Sequence, residues 1–251
     1  MAAKLQVKVV MVPRDLQPID VAGRTVVVFD VLRATTTMTY ALAAGISGIR
    51  VFASIEAARE AAAKYSGEKD QRPLLCGEHD CLPPPGFDLG NSPGQWDRAL
   101  HSGRMVYMAT TNGTRALAAA GPFRPERLLA GAIVNAEAVA RACAAAGLDV
   151  TLLCAGTAGE VSVEDLIGAG AVLSCLPSGL YAPAGDAAQI ALHLFCGACD
   201  NLPQALSEGA GGKNLERTGL IGDITLCAAL NRLSIVGVVN PDALSVAPLP
   251  L

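Results

Sequence analysis

Residues 26–45 read VVVFDVLRATTTMTYALAAG, and this stretch decides the expected fold of the 251-residue chain. Its unbroken apolar start is typical of a strand buried on both faces of a parallel sheet. The small residues that follow are typical of a helix, which Gly45 is suited to end. The turn between them lies at the carboxyl edge of the sheet, where open α/β sheets bind ligands. We therefore predict a strand over 24–31, a helix over 36–44 and a ligand site at the turn.

The rest of the chain repeats this alternation of apolar runs and helical patterns. Further strands are predicted over 5–12, 49–53, 74–78, 104–109, 128–133, 150–154 and 235–239. Further helices are predicted over 56–65, 111–120, 136–146, 163–176, 186–195 and 221–230. The pattern predicts a three-layer α/β/α sandwich with a largely parallel or mixed sheet.

Three features of this organisation go beyond the fold class. The first strand-helix-strand unit implies that strands 24–31 and 49–53 pair in parallel through a right-handed crossover. Residues 177–185 are predicted as a loop, 201–214 as a polar Gly-rich stretch and 247–251 as extended. We expect one domain over 1–251. An alternative is that this domain consists of two related lobes that meet at a central site.

Composition excludes several functional classes. The net charge is −4 with no basic run, which excludes an electrostatic footprint for nucleic acid or a polybasic membrane patch. No uninterrupted apolar stretch reaches membrane-spanning length, so we expect a cytoplasmic protein. The only CxxC, Cys196 to Cys199, lacks a second metal-binding pair, which argues against a structural zinc. P-loop and GxSxG motifs are absent, and Leu32 stands where haloacid dehalogenases have their second Asp.

The turn after the first buried strand carries candidate chemistry. Asp30 could be a metal ligand or a nucleophile, and Arg33 a phosphate clamp. Thr35, Thr36 and Thr37 open the helix, where free N–H groups favour an anion. The alternative is that Asp30 caps the helix and Arg33 is solvated. Because an unpaired Asp is costly to bury, we favour the functional interpretation.

An internal echo suggests a second anion-binding turn. Residues 34–43 align with 109–118, and in both copies the threonines lie between an apolar strand and a small-residue helix. The second turn contains Thr110, Thr111, Asn112, Gly113, Thr114 and Arg115. Its hydroxyl and N–H groups predict an anion nest, with an ordinary helix cap as the alternative.

Further acids lie near other predicted strand ends. Glu78 ends a strand and is a plausible magnesium ligand or base, and His79 beside it is a candidate general acid. Asp88 and Asn91 lie in the loop GFDLGNSP, where Asx-turn chemistry is the alternative to ligand binding.

The acids after the strand at 150–154 also have two interpretations. Residues 162–165, SVED, resemble a capping box in which Asp165 occupies the N3 position. A ligand role for Glu164 or Asp165 is the alternative.

Five blocks, in this order, resemble the 2-phosphosulfolactate phosphatase family: FDVLRATTT, CGEHDCLPPPGFDLGNSP, TTNGTRAL, LLCAGTAGEVSVED and GDAAQIAL. The combination of GFDLGNSP with TTNGT is highly specific, and the likeness covers most of the chain. It implies a three-layer α/β fold and a magnesium-dependent phosphatase that converts (R)-2-phospho-3-sulfolactate to 3-sulfolactate in a route to coenzyme M. One departure is His79, which stands where the family usually has Arg after Gly-Glu.

Residues and resemblance together predict one site. The expected catalytic residues are Asp30, Arg33, Glu78 and His79. The expected Mg²⁺ ligands are Asp30, Glu78 and Asp165. The expected substrate-binding residues are Thr35, Thr36, Thr37, Asn91, Thr111, Asn112, Gly113, Thr114 and Arg115. The predicted partner is a small anionic phosphomonoester, and the chain could form a homodimer. The alternatives are a phosphatase of another such ester and a non-catalytic anion-binding module.

Overall fold

The computed structural model describes residues 3–68 and 71–249, within which the chain forms ten strands and ten α-helices. The strands are β1 (Leu5–Val10), β2 (Thr25–Phe29), β3 (Gly48–Val51), β4 (Leu74–Gly77), β5 (Met105–Ala109), β6 (Arg127–Gly131), β7 (Val150–Cys154), β8 (Tyr181–Ala184), β9 (Gly237–Asn240) and β10 (Ser245–Pro248). The helices are α1 (Ala34–Ala43), α2 (Ile55–Ala63), α3 (Arg98–His101), α4 (Gly113–Ala120), α5 (Ala136–Ala146), α6 (Val163–Cys175), α7 (Asp186–Ala198), α8 (Leu202–Glu208), α9 (Ala210–Arg217) and α10 (Gly222–Cys227).

All of these strands join one mixed sheet in the order β4-β5-β3-β10-β9-β6-β2-β7-β1-β8. Strands β4, β5 and β3 form one parallel group, and β6, β2, β7, β1 and β8 form another. The antiparallel pair β9 and β10 lies between the groups and pairs antiparallel with β6 and β3. The sheet is therefore mixed, with mostly parallel pairs, as the sequence predicts.

Strand β2 is buried on both faces, as its unbroken apolar run predicts. Val26 and Val28 pack into the cluster that includes α1 and α4. Val27 and Phe29 pack into the cluster that includes α5 and α6 on the opposite face. All four side chains have 0% exposure, and each contributes roughly 1.5–3 kcal/mol by leaving water. Helices thus cover both faces of the sheet, which confirms the three-layer α/β/α class.

The predicted parallel pairing of the strands at 24–31 and 49–53 is wrong. Both edges of β2 are occupied, by β6 and by β7. Strand β3 pairs instead with β5 in parallel and with β10 in antiparallel. The local pattern could not reveal this because the pair β9 and β10 comes from the far end of the sequence.

Twist brings the carboxyl ends of the two parallel groups together. Four strand-to-strand steps separate β2 from β3. A typical twist of about 20–25° a step would sum to roughly 80–100° over four steps, which would turn the nominally opposed groups crosswise to one another. The turn after β2 can therefore meet the turns after β4 and β5, and the contacts described below show that it does.

Three other predictions about the second half of the chain are corrected or refined. The predicted loop 177–185 contains β8, an edge strand paired with β1, where Pro183 is tolerated. The Gly-rich stretch 201–214 contains α8, capped by Asn201, and most of α9. The extended tail is β10 as far as Pro248, while residues 250 and 251 lie outside the described ranges. Within those ranges, none of the helices is both long and apolar enough to cross a lipid bilayer.

Candidate active site

Asp30 lies at the carboxyl end of β2 and is only 7% exposed. The Ala34 N–H, in the first turn of α1, donates to its Oδ1 at 3.2 Å. The backbone N–H of Gly113, which begins α4, also donates to the carboxylate. A Cβ at position 113 would lie 2.7 Å from Asp30 Oδ2 and 2.6 Å from the Ala34 Cβ, so only glycine fits. The N-terminal ends of two helices therefore converge on one carboxylate.

The surroundings of Asp30 raise its pKa toward neutral pH. Burial, followed by the negative charges of Glu78 and Glu164, raises the pKa of Asp30 from 3.8 to about 6. The hydrogen bonds from Ala34 and Gly113 act in the opposite direction. A carboxylate poised in this way is a common feature of catalytic and metal-binding sites.

Each of the two similar turns contains the same kind of hydrogen bond, from a threonine hydroxyl to the carbonyl four residues earlier. Thr39 Oγ1 donates to the Thr35 carbonyl at 2.8 Å, and Thr114 Oγ1 donates to the Thr110 carbonyl at 2.7 Å. These four threonines occupy equivalent positions in the alignment of 34–43 with 109–118. The similarity of the two turns therefore extends from sequence to local structure.

The threonines that open α1 are already hydrogen-bonded within the protein. The hydroxyls of Thr35, Thr36 and Thr37 donate to the carbonyls of Asp30, Val31 and Asn91, respectively. All three threonines have 0% exposure. Their hydroxyls therefore stabilise the turn. The sequence predicts that the backbone N–H groups of this turn bind an anion; those of Thr35 and Thr37 donate to the carbonyls of Asp30 and Arg33. Anion binding at this turn stays a prediction.

Glu78 joins two turns through backbone N–H groups. Its Oε1 accepts from Thr111 N at 2.8 Å and its Oε2 from Cys81 N at 3.0 Å. His79 is exposed, and its Nδ1 lies 3.4 Å from Asp80 Oδ2. Glu78 therefore orders the loop after β4 against the turn that precedes α4, as well as facing Asp30.

Asp165 links the turn after β2 to the turn after β7. Its Oδ1 accepts from Val31 N at 2.8 Å and its Oδ2 from Gly156 N at 3.0 Å. The predicted capping box is wrong, because Ser162 forms no side-chain cap bond and Asp165 is turned toward the site. Burial, followed by the charges of Asp30 and Glu164, raises the pKa of Asp165 well above its usual value.

Glu164 is a buried acid whose role the sequence left open. It is 2% exposed, and its Oε2 has no hydrogen-bond partner among the described residues. Burial raises its pKa. A Cβ on Gly209 would lie 2.8 Å from Oε2, and one on Gly211 would overlap Oε1. The glycines at the start of α9 thus make room for the Glu164 carboxylate. The spacing of these glycines in the sequence does not by itself predict this contact.

Arg33 is buried in an ion pair, so the alternative of a solvated side chain is wrong. It is 3% exposed, and its Nη1 donates to Asp223 Oδ2 at 2.6 Å. Its Nη2 donates to the Cys81 carbonyl, also at 2.6 Å. The peptide bond between Leu32 and Arg33 is cis. Asp223 was not predicted as a site residue because it lies in a short helix 190 residues away from its partner.

Asp88 and Asn91 differ in their surroundings. Asp88 forms a bidentate pair with Arg72, with distances of 2.6 and 2.8 Å, and accepts from Leu75 N. The hydrogen bond from Arg72 lowers the pKa of Asp88, and the pair holds the loop to β4. Asn91 is 4% exposed, and its Oδ1 has no partner among the described residues. Asp88 is thus structural, whereas Asn91 has an unused acceptor.

A cleft of about 310 Å³ opens beside these groups. Glu78, His79, Thr111 and Arg115 line it, together with Ser54, which caps α2. Thr111 and Arg115 are exposed, and the next position, 112, is the N-cap of α4. The volume is at the lower end of the range of small-molecule sites. The structure therefore brings Glu78, His79 and the second turn together at an opening, with Asp30 buried behind them.

Comparison with known proteins identifies the family. The family described as 2-phosphosulpholactate phosphatase matches residues 10–242. The chain belongs to this family. Family membership confirms the resemblance seen in the sequence and the prediction of an enzyme of the phosphoric monoester hydrolase class.

Several relatives in the 2-phosphosulpholactate phosphatase family are similar over nearly their whole length. A protein of Carboxydothermus hydrogenoformans is 38% identical over 92% of each chain. One of Symbiobacterium thermophilum is 38% identical over 87% of this chain and 92% of its own. One of Thermotoga maritima is 35% identical over 88% of this chain and 89% of its own. Each bears the name "Probable 2-phosphosulfolactate phosphatase".

The donor set of this family member suits a hard cation. Asp30 is within electrostatic range of Glu78 and Glu164, and Asp165 of Asp30 and Glu164. Within residues 3–68 and 71–249, Arg33 is the one buried Lys or Arg side chain, and it is already paired with Asp223. Across the described part of the chain, no three or more Asp, Glu, His or Cys side chains lie close enough to hold a metal ion together, so Asp30, Glu78 and Asp165 do not form a three-ligand cluster. Mg²⁺ commonly binds through one or two carboxylates plus water and substrate phosphate, and these acids fit that mode.

Proposed function

We propose that this chain is a magnesium-dependent phosphatase that hydrolyses (R)-2-phospho-3-sulfolactate to 3-sulfolactate and phosphate, as in routes to coenzyme M. Family membership supports the reaction class. The observation that carries the proposal is the buried Asp30 carboxylate, on which α1 and α4 converge beside an open cleft. Helix N-termini favour negative charge, so both helix ends stabilise the carboxylate that this proposal places at the centre of the site.

The acids would hold the cation. Asp30 is the central ligand in this proposal, with Glu78 and Asp165 offering the lone pairs that their backbone hydrogen bonds leave free. The unpartnered Oε2 of Glu164 adds negative charge that a cation would offset. When bound, Mg²⁺ supplies charge neutralisation of the phosphoryl oxygens and orientation of water.

Two arginines and a histidine would handle the substrate. Arg33 lies three residues beyond Asp30 and is proposed to contact the phosphate. Arg115 and His79 line the cleft and are proposed to meet the rest of the anion, with His79 as the candidate proton donor to the leaving oxygen. Because His79 replaces the usual arginine of the family pattern, another small anionic phosphate monoester is the second candidate substrate.

The proposed setting is the cytoplasm. All eight cysteines of the chain are free thiols, and four of them are buried. Such thiol usage is typical of a reducing compartment. A homodimer remains a prediction, which light scattering coupled to size-exclusion chromatography would test.

Phosphate release from a panel of small phosphomonoesters tests the function. We expect the highest kcat/KM with phosphosulfolactate, a requirement for Mg²⁺, and loss of turnover in Asp30→Asn. The matched control is Asp20→Asn, because Asp20 is another buried acid in a 2.6 Å ion pair, with Lys8. This control should retain the turnover of the wild type.

Other outcomes would redirect or contradict the proposal. Undiminished turnover in excess EDTA would contradict the metal requirement. A higher kcat/KM with another ester would replace the substrate. Stabilisation by a phosphorylated ligand without turnover, and without effect of Mg²⁺, would favour the anion-binding module.

A further inference from the structure

The guanidinium of Arg33 is fixed by two buried partners from distant segments. Asp223, at the start of α10, accepts from Nη1 at 2.6 Å, and the Cys81 carbonyl accepts from Nη2 at 2.6 Å. The side chains of Arg33 and Asp223 are 3% and 8% exposed. A third residue, Ser92, donates its hydroxyl to the other carboxylate oxygen of Asp223. The result is a chain of hydrogen bonds from Ser92 through Asp223 to Arg33.

This arrangement fixes the plane of the guanidinium. A guanidinium has five N–H donors in one rigid plane, and two of them are used by Asp223 and Cys81. A long arginine side chain would otherwise retain rotamer freedom, which substrate binding would have to remove. With the plane fixed in advance, the remaining donors keep one direction.

The position of Arg33 places its fixed guanidinium next to the turns around Asp30, where the phosphate is proposed to bind. Arg33 immediately precedes Ala34, the residue that begins α1 and donates its N–H to Asp30. Its guanidinium also holds the loop that Glu78 joins to the turn before α4. Arg33 is thus connected to the turns that surround Asp30.

We infer that Asp223 is a positioning residue that, together with Ser92, holds the Arg33 guanidinium in the orientation that binds the phosphate group of the substrate. The inference rests on the proposed function for the identity of the substrate. The affinity for inorganic phosphate tests it separately, because that measurement does not depend on which ester is hydrolysed.

Three variants of the network and one control form the experiment. Asp223→Asn keeps the shape of the side chain and removes its charge, Ser92→Ala removes one hydrogen bond to Asp223, and Arg33→Lys removes the planar fork. Asp20→Asn is the control, because it also neutralises a buried acid in a 2.6 Å ion pair, and the described partners of its carboxylate, Lys8 and Gln17, lie outside the network. Each variant is measured by titration calorimetry with inorganic phosphate, by kcat and KM, and by urea unfolding.

We expect Asp223→Asn and Arg33→Lys to weaken phosphate affinity about tenfold or more, because charge-assisted hydrogen bonds are the strong ones. Ser92→Ala should weaken it about threefold, the effect of one modest hydrogen bond. Asp20→Asn should leave it within about twofold while also losing stability, by a smaller amount because its partner Lys8 is 44% exposed. A role confined to stability would lower the urea midpoint of Asp223→Asn and Asp20→Asn alike and leave phosphate affinity unchanged.

The outcomes separate the inference from the proposed function. Folded Asp223→Asn protein with wild-type phosphate affinity overturns the inference, whatever the enzyme hydrolyses. If Asp223→Asn does not fold, wild-type phosphate affinity in Ser92→Ala overturns it instead. If the wild type hydrolyses none of the esters but phosphate affinity falls as expected, the proposed function fails and the positioning role stands.

Discussion

Replacement of Asp30 by Asn should change how the stability of the protein depends on pH. Asp30 is buried beside Glu78 and Glu164, and its pKa in the folded protein is about 6, against 3.8 ordinarily. The folded state therefore binds the Asp30 proton more tightly than the unfolded state does. Asn carries no such proton, so the comparison isolates its contribution.

The sign and size of the effect follow from this difference. Well below pH 3.8 the carboxyl is protonated in both states, and its contribution to stability is fully present. As the pH rises through 6, the folded state must accommodate a buried charge and that contribution is lost. The shift from 3.8 to about 6 corresponds to about 3 kcal/mol at 1.36 kcal/mol per unit. Because the charge on Asp30 also raises the pKa of Asp165, coupling between them acts in the same direction.

Urea unfolding at a series of pH values, in EDTA, measures the effect. The free energy of unfolding of the wild type should fall by about 3 kcal/mol relative to Asp30→Asn between pH 3 and pH 8. The single tryptophan, Trp96, provides a fluorescence signal, and circular dichroism provides an independent one. Any hydrogen bond that Asn fails to make shifts the whole curve and does not change its slope.

The reasoning fails if the two stability curves run parallel from pH 4 to pH 8. Parallel curves would mean that Asp30 titrates alike in both states, so its carboxylate would not be the desolvated group described here. A wild type that gains stability relative to the variant as pH rises would mean that its surroundings favour the charged form.

Three further predictions concern the cation, the close approach of α4 and the cleft. Mg²⁺ with inorganic phosphate should raise the melting temperature of the wild type more at pH 8 than at pH 5, and not that of Asp30→Asn; a pH-independent rise in both proteins would place the ion elsewhere. Gly113→Ala should lower the free energy of unfolding by about 1–3 kcal/mol and reduce phosphate release, because its Cβ would lie 2.6 Å from the Ala34 Cβ. Gly179→Ala is its control because the added Cβ meets nothing within 4 Å, and equal losses in the two variants would refute the packing argument. Arg115→Gln should raise KM for phosphosulfolactate about tenfold more than KM for 2-phospholactate, which lacks the sulfonate, and an equal rise for both would show that Arg115 does not select the sulfonate.

The local elements around the site were predictable because short-range pattern determines them. The predicted strand at 24–31 and helix at 36–44 correspond to β2 and α1. The carboxyl-edge argument also placed Asp30, Glu78 and the Gly113 turn in one region. The burial of both faces of β2 and the turn from β2 to α1 follow from consecutive residues. Their prediction therefore required no information about distant segments.

What the sequence did not reveal depends on partners far along the chain. Arg33 reads as a free phosphate clamp until Asp223, 190 residues away, is found beside it. For Asp165 the sequence leaves a helix cap and a ligand role open, and its hydrogen bonds from Val31 and Gly156 appear only in the structure. Contacts of this kind determine what a polar side chain binds, but they leave no repeating pattern in the neighbouring sequence from which they could be predicted.

The position of β10 in the middle of the sheet has a consequence for synthesis of the protein. The groups on either side of it can each assemble from chain that has already emerged, but the sheet becomes continuous only after residue 248 has left the ribosome. Until then, β3 and β6 present unpaired edges, which are templates for pairing with other chains. A nascent or truncated chain that ends before residue 237 is therefore expected to bind chaperones through these edges, whereas in the complete chain both edges are paired.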